Sequence, residues 1–257
     1  MTAVDLAIDT PRELSVSDRP YDYSIRPMAA LRALKKLIAN KEDTEQVFLI
    51  MQALSGRSTP RGYARLLDSA EGGRQAYLRQ EFSDRLMDQA WVASFAPGTV
   101  GAAYREFIAP RGLTAYGLAE ESRKVNGSIE VAHPVAWYGR RMRDVHDIWH
   151  VLTGYSTDAL GEACVVAFSY AQTKSFGFGF IALGGAYQLS RSKSGLPYAK
   201  AVWQAWRNGL KAKWLPELDY ERLFAEPLDQ ARTRLNIVRP TVYASIPADR
   251  RDGSMAT

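Results

Sequence analysis

Cysteine is almost missing from this sequence. Cys164 stands alone among 257 residues, which excludes an intrachain disulfide and leaves no set of thiolates for a structural zinc finger. Histidine is nearly as scarce, with His133, His146 and His150 the only three. No uncharged apolar run approaches the roughly 20 residues a membrane-spanning helix needs. The nearest, Ala163 to Leu189, is interrupted by Gln172 and Lys174. The N-terminus lacks a basic start followed by an apolar stretch, so it is no secretory signal, and its early acidic residues argue against a mitochondrial presequence. There is no internal repeat, no low-complexity tract, no βαβ rhythm and no glycine-rich phosphate loop after a strand. Positive charge is in modest surplus, 33 basic against 28 acidic residues for a net +5, and it is spread rather than striped, so no nucleic-acid partner is expected. Small clusters at Arg140, Arg141 and Arg143 and at Arg191 and Lys193 suit a peripheral attraction to anionic lipid head groups.

What remains is the composition of an ordinary globular protein, 46% apolar and 24% charged, and its apolar residues recur at helical spacing. Pro27 opens a helix with Met28, Leu31, Leu34, Leu37 and Ile38 on one side, ended by Asn40. Asp43 or Thr44 caps a second helix that stops at Gly56. Two more are expected around 60–69 and 71–91, and another from the Thr99 cap through Phe107. A turn is expected around Asn126-Gly127, after which Pro134 starts a further helix. From Asp158 to Leu189 runs a long helical stretch in which Phe176, Phe178 and Phe180 alternate with Gly177 and Gly179, followed by Gly184 and Gly185. Glycine costs about 0.8–1.0 kcal/mol relative to alanine inside a helix, so this run calls for close helix contact or an apolar channel, with a kink. A helix from Leu196-Pro197 to Ala212 and a final pair broken at Pro227 complete an all-α, single-domain helical bundle. Its expected boundaries are a flexible arm over 1–24, the helical domain over 25–238 and a loosely held tail over 239–257.

The chemistry concentrates between Arg140 and Glu162. On a helix, His146 and His150 lie one turn apart on the same face, a spacing at which two imidazoles grip one divalent ion. Asp147, rotated about 100° from His146, can reach that ion from the flank or hold a water beside it. Twelve residues of straight helix would carry Glu162 roughly 18 Å along the axis from His150. Gly154, however, suits a left-handed helix end, and Ser156, Thr157 and Asp158 offer oxygens to cap a new helix that returns Glu162 to the first. Two imidazoles with one or two carboxylates suit zinc first, with iron, cobalt or manganese also compatible. A phosphohydrolase arrangement that also recruits His133 and Asp158 is the competing use of the same doublet, and the Asp after His146 departs from the zinc-protease pattern, which needs Glu there.

His146-Asp147-x-x-His150, followed by eleven residues and Glu162, resembles the metal motif of the coenzyme Q (ubiquinone) biosynthesis protein COQ-four family. Arg26-Pro27, Ala53-Leu54-Ser55-Gly56, Pro97-Gly98-Thr99-Val100-Gly101 with Tyr104 and Phe107, Ala205-Trp206-Arg207-Asn208-Gly209 and Glu226-Pro227-Leu228 extend the likeness over roughly residues 25–238.

The resemblance implies an all-helical peripheral protein at a membrane surface, homodimeric, with an apolar channel for a polyprenylated quinone precursor beside the metal. It implies ligand and catalytic roles for His146, Asp147, His150 and Glu162 in the oxidative decarboxylation at C1 of the precursor ring. Alternatively, it implies a non-catalytic scaffold that organises other ubiquinone-biosynthesis proteins. Arg140, Arg141 or Arg143 would pair with the substrate carboxylate or line a solvated helix face, and Asp144 would orient an imidazole. With no evident presequence, the expected location is cytoplasmic, peripheral at the inner face of a bacterial plasma membrane.

Overall fold

The computed structural model describes residues 23–40, 43–111, 132–192 and 194–253. Among them there are fifteen α-helices and no strand beyond one isolated bridge, Thr99 to Pro227, as the helical periodicity requires.

Helices α1 (Pro27–Ala39) and α2 (Thr44–Leu54) pack on each other, and α3 (Ser58–Leu66) and α4 (Ala70–Leu78) follow. The single helix expected over 71–91 is instead three pieces, α4, α5 (Phe82–Met87) and α6 (Gln89–Ala93). Arg79 takes a left-handed conformation (φ 46°), and the broken backbone is claimed by other elements. Trp137 Nε1 donates to the Gln80 carbonyl at 3.0 Å, and Arg140 forks onto Glu81. Helix α7 (Val100–Ile108) starts at Thr99, whose hydroxyl accepts from Ala102 N at 3.3 Å. The turn expected around Asn126-Gly127 lies outside the described residues.

The centre of the molecule is α10 (Ala159–Thr173), reached through α8 (Pro134–Asp144) and α9 (His146–Thr153). Leu160, Val165, Val166 and Phe168 of α10 are buried in the main core, each contributing about 1.5–3 kcal/mol by leaving water. Helix α10 packs on α11 (Phe176–Ser190) and α12 (Tyr198–Lys211). The run from Asp158 to Leu189 is thus two helices, parted where Lys174 turns left-handed (φ 57°). The phenylalanine–glycine stretch is helical, and its glycines are points of close contact. A Cβ on Gly177 would meet Met51 Sδ at 2.6 Å, and one on Gly184 would meet Leu34 Cδ1 at 2.8 Å, so α11 lies directly against the α1–α2 pair.

Helices α13 (Tyr220–Ala225), α14 (Leu228–Arg234) and α15 (Thr241–Ala244) close the core. The tail beyond Arg239 is not loosely held over its described part. Tyr243 and Ile246 are buried in the main cluster, because the short α15 carries an aromatic ring and the turn after it an isoleucine that only the core can cover.

Candidate metal centre

The motif is split between two helices. Helix α8 ends at Asp144, Val145 (φ −89°, ψ 0°) interrupts it, and α9 begins with His146. His150 follows one turn on. Gly154 (φ 78°) ends α9 in the left-handed conformation, its N–H bonded to the His150 carbonyl at 2.8 Å. After the turn 155–158, the Asp158 carboxylate accepts from Gly161 N at 2.8 Å and caps α10, in whose first turn Glu162 stands. The hairpin does return Glu162 to the histidines.

The Nε2 atoms of His146 and His150 are 3.3 Å apart. Glu162 places one oxygen 3.4 Å from His150 Nε2 and the other 3.7 Å from His146 Nε2. The rings of His146 and His150 meet edge to face, centroids 4.9 Å apart, and Phe107 stacks on His150 at 5.4 Å. Burial runs from inside to outside: the side chain of His150 is 1% exposed, that of His146 23% and that of Glu162 45%.

The donor set fits a metal ion. His150 Nδ1 lies 3.1 Å from the Tyr155 carbonyl, and a carbonyl only accepts, so Nδ1 carries the proton and the neutral ring turns a bare lone pair out at Nε2. That lone pair faces a second imidazole nitrogen and a carboxylate oxygen. Two imidazole nitrogens and a carboxylate oxygen converging in this way suit a cation among them. Ligands held about 2.0–2.1 Å from a tetrahedral ion stand about 3.3 Å from one another, close to the separations here. In the absence of metal a proton takes that place. Burial presses the His150 imidazole pKa down, but the Glu162 carboxylate outweighs it and the net effect is upward. Burial works to raise Glu162, and the two imidazoles outweigh that as well, holding it below the usual carboxylate range.

Asp147 is not part of this group; the ligand atoms within 4.8 Å of one another are those of His146, His150 and Glu162 alone among the described residues. One residue along α9 from His146, Asp147 is rotated off the ligand face. Its carboxylate is felt instead at Tyr104, whose phenol burial chiefly pushes up. His133, the extra histidine of the phosphohydrolase reading, caps α8 by accepting from Val135 N at 3.2 Å. Asp158 is engaged as a cap. The three arginines are neither solvated nor free for substrate. Arg140 forks onto Glu81, Arg141 is buried and donates to the Pro216 and Leu218 carbonyls, and Arg143 donates to Asp144 at 2.9 Å. Asp144 also accepts from Ser83 N at 3.3 Å, which ties α8 to α5. Sequence reasoning missed the Tyr155 carbonyl, since a main-chain acceptor leaves no signature beyond the left-handed glycine before it.

A helical domain with two histidines on one helix and a carboxylate returned by the next defines a class of helix-built metal sites. The comparisons make it specific. The family profile for "Coenzyme Q (ubiquinone) biosynthesis protein Coq4" matches residues 27–241, and the chain belongs to that family. The ubiquinone biosynthesis protein COQ4 homolog of Danio rerio is 31% identical over 181 residues, covering 69% of this chain and 64% of that protein, so the match spans under two thirds of the relative's length. The Nematostella vectensis homolog is 32% identical over 172 residues, covering 63% of this chain and 73% of that one. A crystal structure of a candidate ubiquinone biosynthesis protein of Nostoc punctiforme superposes with a TM-score of 0.60 over 83% of this chain and 99% of that chain, at 19% identity, and so shares the fold.

These relatives correct one expectation. Proteins from animals and fungi in this family are named mitochondrial, which overturns the placement at a bacterial plasma membrane. That placement rests on the acidic start of the chain, a local feature that carries no information about the compartment of the folded domain. Among the described residues no helix is long and apolar enough to cross a membrane.

Proposed function

We propose that the chain acts in ubiquinone biosynthesis as a metal-dependent oxidative decarboxylase, replacing the C1 carboxyl of a polyprenylated precursor ring by hydroxyl. The observation that carries this reading is the convergence of His146, His150 and Glu162 on one point with the outermost ligand half open. A structural site is closed by its ligands, whereas a catalytic one keeps a position for substrate.

A bound divalent ion, zinc first and iron, cobalt or manganese otherwise, supplies Lewis-acid stabilisation of negative charge on the carboxylate or a neighbouring phenolate oxygen. The protein does the rest. The Tyr155 carbonyl fixes the His150 tautomer, Phe107 screens one face of that ring from water, and the open side of Glu162 admits the ring. In the net change, the bond from C1 to the carboxyl carbon breaks and a C1–O bond forms. Dioxygen with two electrons and two protons leaves CO2, one water and the phenol. A two-electron donor must supply those electrons; iron or manganese held by these residues could take part in that redox step, whereas zinc could not. Asp147, outside the ligand group but one residue from His146, is assigned to proton handling beside the site.

The scaffold reading keeps one observation in its favour. Phe176, Leu183 and Tyr187 of α11 and Met28 and Leu31 of α1 are exposed, and apolar surface of this kind suits a membrane surface, a prenyl chain, a partner enzyme of the pathway or the second subunit of a homodimer. Complementation separates the readings. In cells lacking the native protein, His150→Ala is expected to leave a carboxylated prenyl-ring precursor accumulating. Restored quinone synthesis by a metal-free variant would leave only the scaffold.

A further inference from the structure

The turn between α9 and α10 carries two duties at once. Its first residue, Tyr155, offers the carbonyl that orients His150, and its last, Asp158, caps the helix that delivers Glu162. A displacement of this turn would therefore disturb two of the three ligands together. What holds it comes from the far end of the chain. The Tyr243 hydroxyl donates to Asp158 Oδ2 at 2.6 Å and accepts from Ser156 N at 3.1 Å, while its ring meets that of Tyr155 edge to face at 5.2 Å. Arg251 lies over the Tyr243 ring at 4.2 Å and donates to its hydroxyl at 3.3 Å. The first amides of α10 are taken by the same segment: Leu160 N donates to the Arg251 carbonyl at 3.0 Å and Ala159 N to Asp252 Oδ1 at 2.8 Å.

We infer that residues 243–252 are a latch for the metal centre, and that Tyr243 is its central positioning residue. The inference rests on the reading that His146, His150 and Glu162 bind metal. Tyr243 touches none of the three ligands, so it acts by fixing the turn from which His150 takes its orientation and Glu162 its position. The family match ends at residue 241, so the latch is built from the part of this chain beyond it.

The test is competition between the purified full-length protein and a chelator for Zn2+, with visible spectra of the Co2+ form as a second readout. Wild type, His150→Ala and Tyr243→Phe are compared, together with the thermal unfolding of each metal-free protein. Tyr243→Phe keeps the ring and loses the hydroxyl. It should bind Zn2+ 10–100-fold more weakly, the range seen when partners behind a ligand are removed, and the Co2+ bands should shift. Asp252→Ala, which removes one amide acceptor, should weaken binding in the same direction by less, and it decides the matter if Tyr243→Phe does not fold. Native affinity and an unaltered Co2+ spectrum in both variants, with metal lost in His150→Ala, would overturn the latch while leaving the metal centre standing. A lower unfolding temperature with unchanged affinity would equally reduce Tyr243 to a packing residue. Absence of tight Zn2+ binding by wild type would instead remove the metal centre, and the latch with it.

Discussion

At His150 a single ring serves two partners, the Tyr155 carbonyl on one nitrogen and the ligand cluster on the other. Replacing it with alanine would remove one of the three proposed ligands and strand that carbonyl. Metal affinity should fall by more than the roughly 100-fold typical of losing a mere supporting partner, which chelator competition measures. Glu162→Gln keeps the shape and removes the charge, and a smaller but clear loss is expected in the same assay. The pH dependence has a definite sign. A proton and a metal compete for the same lone pairs, and the pull of Glu162 raises the pKa of His150 in the metal-free protein. Metal should therefore be held at alkaline pH and released as pH falls, with the proton already competing above the ordinary histidine value of about 6.5. Retention of full occupancy down to pH 5 in a dialysis series would contradict this.

Among the elements, the left-handed residue at the end of α9 is the sharpest point of leverage. Gly154 at φ 78° tolerates no side chain without strain, so Gly154→Ala should lower stability by about 1 kcal/mol, read as a drop in the thermal midpoint. Gly184→Val should cost more, about 1–3 kcal/mol, because a Cβ there already meets Leu34 and the close approach of α11 to α1 must open. Much of this level is legible in the sequence. Pro27, Thr99, Pro134, Gly154 and Pro227 mark helix ends by their own chemistry, and the one-turn spacing of His146 and His150 with a turn before Glu162 suffices to assemble the cluster. Less legible is whatever depends on partners distant in the chain. Nothing near Arg79 announces that Trp137 and Arg140 will claim the backbone and side chain that follow it, and nothing near Arg140, Arg141 or Arg143 announces their burial. Asp147 stands apart from the cluster because one position along α9 from His146 turns it off the face that His146 and His150 share.

Over the whole molecule, a metal bound as proposed would be thermodynamically linked to the fold. If the ion binds only the folded chain, a free concentration 100 times the Kd adds about 2.7 kcal/mol to its stability. Treatment with chelator should lower the thermal midpoint of wild type and leave that of His150→Ala where it was; equal shifts in both would mean the chelator acts elsewhere. The cluster joins α9 to α10, with Phe107 of α7 stacked on His150, so loss of the ion should be felt across the α9–α10 region and not at a single loop.

The graded exposure of the three ligands also has a kinetic meaning. With His150 sealed and Glu162 the most open, a bound ion would exchange chiefly on the side of the carboxylate. Glu162 is then the last ligand to close and the first to let go. Exchange should be paced by how often the start of α10 swings the carboxylate aside, so the residence time of the ion is set by a side chain that contributes one bond among several to its affinity. Variants that stiffen or loosen that helix start would change exchange rates more than equilibrium occupancy, a separation that isotope exchange of bound zinc would resolve.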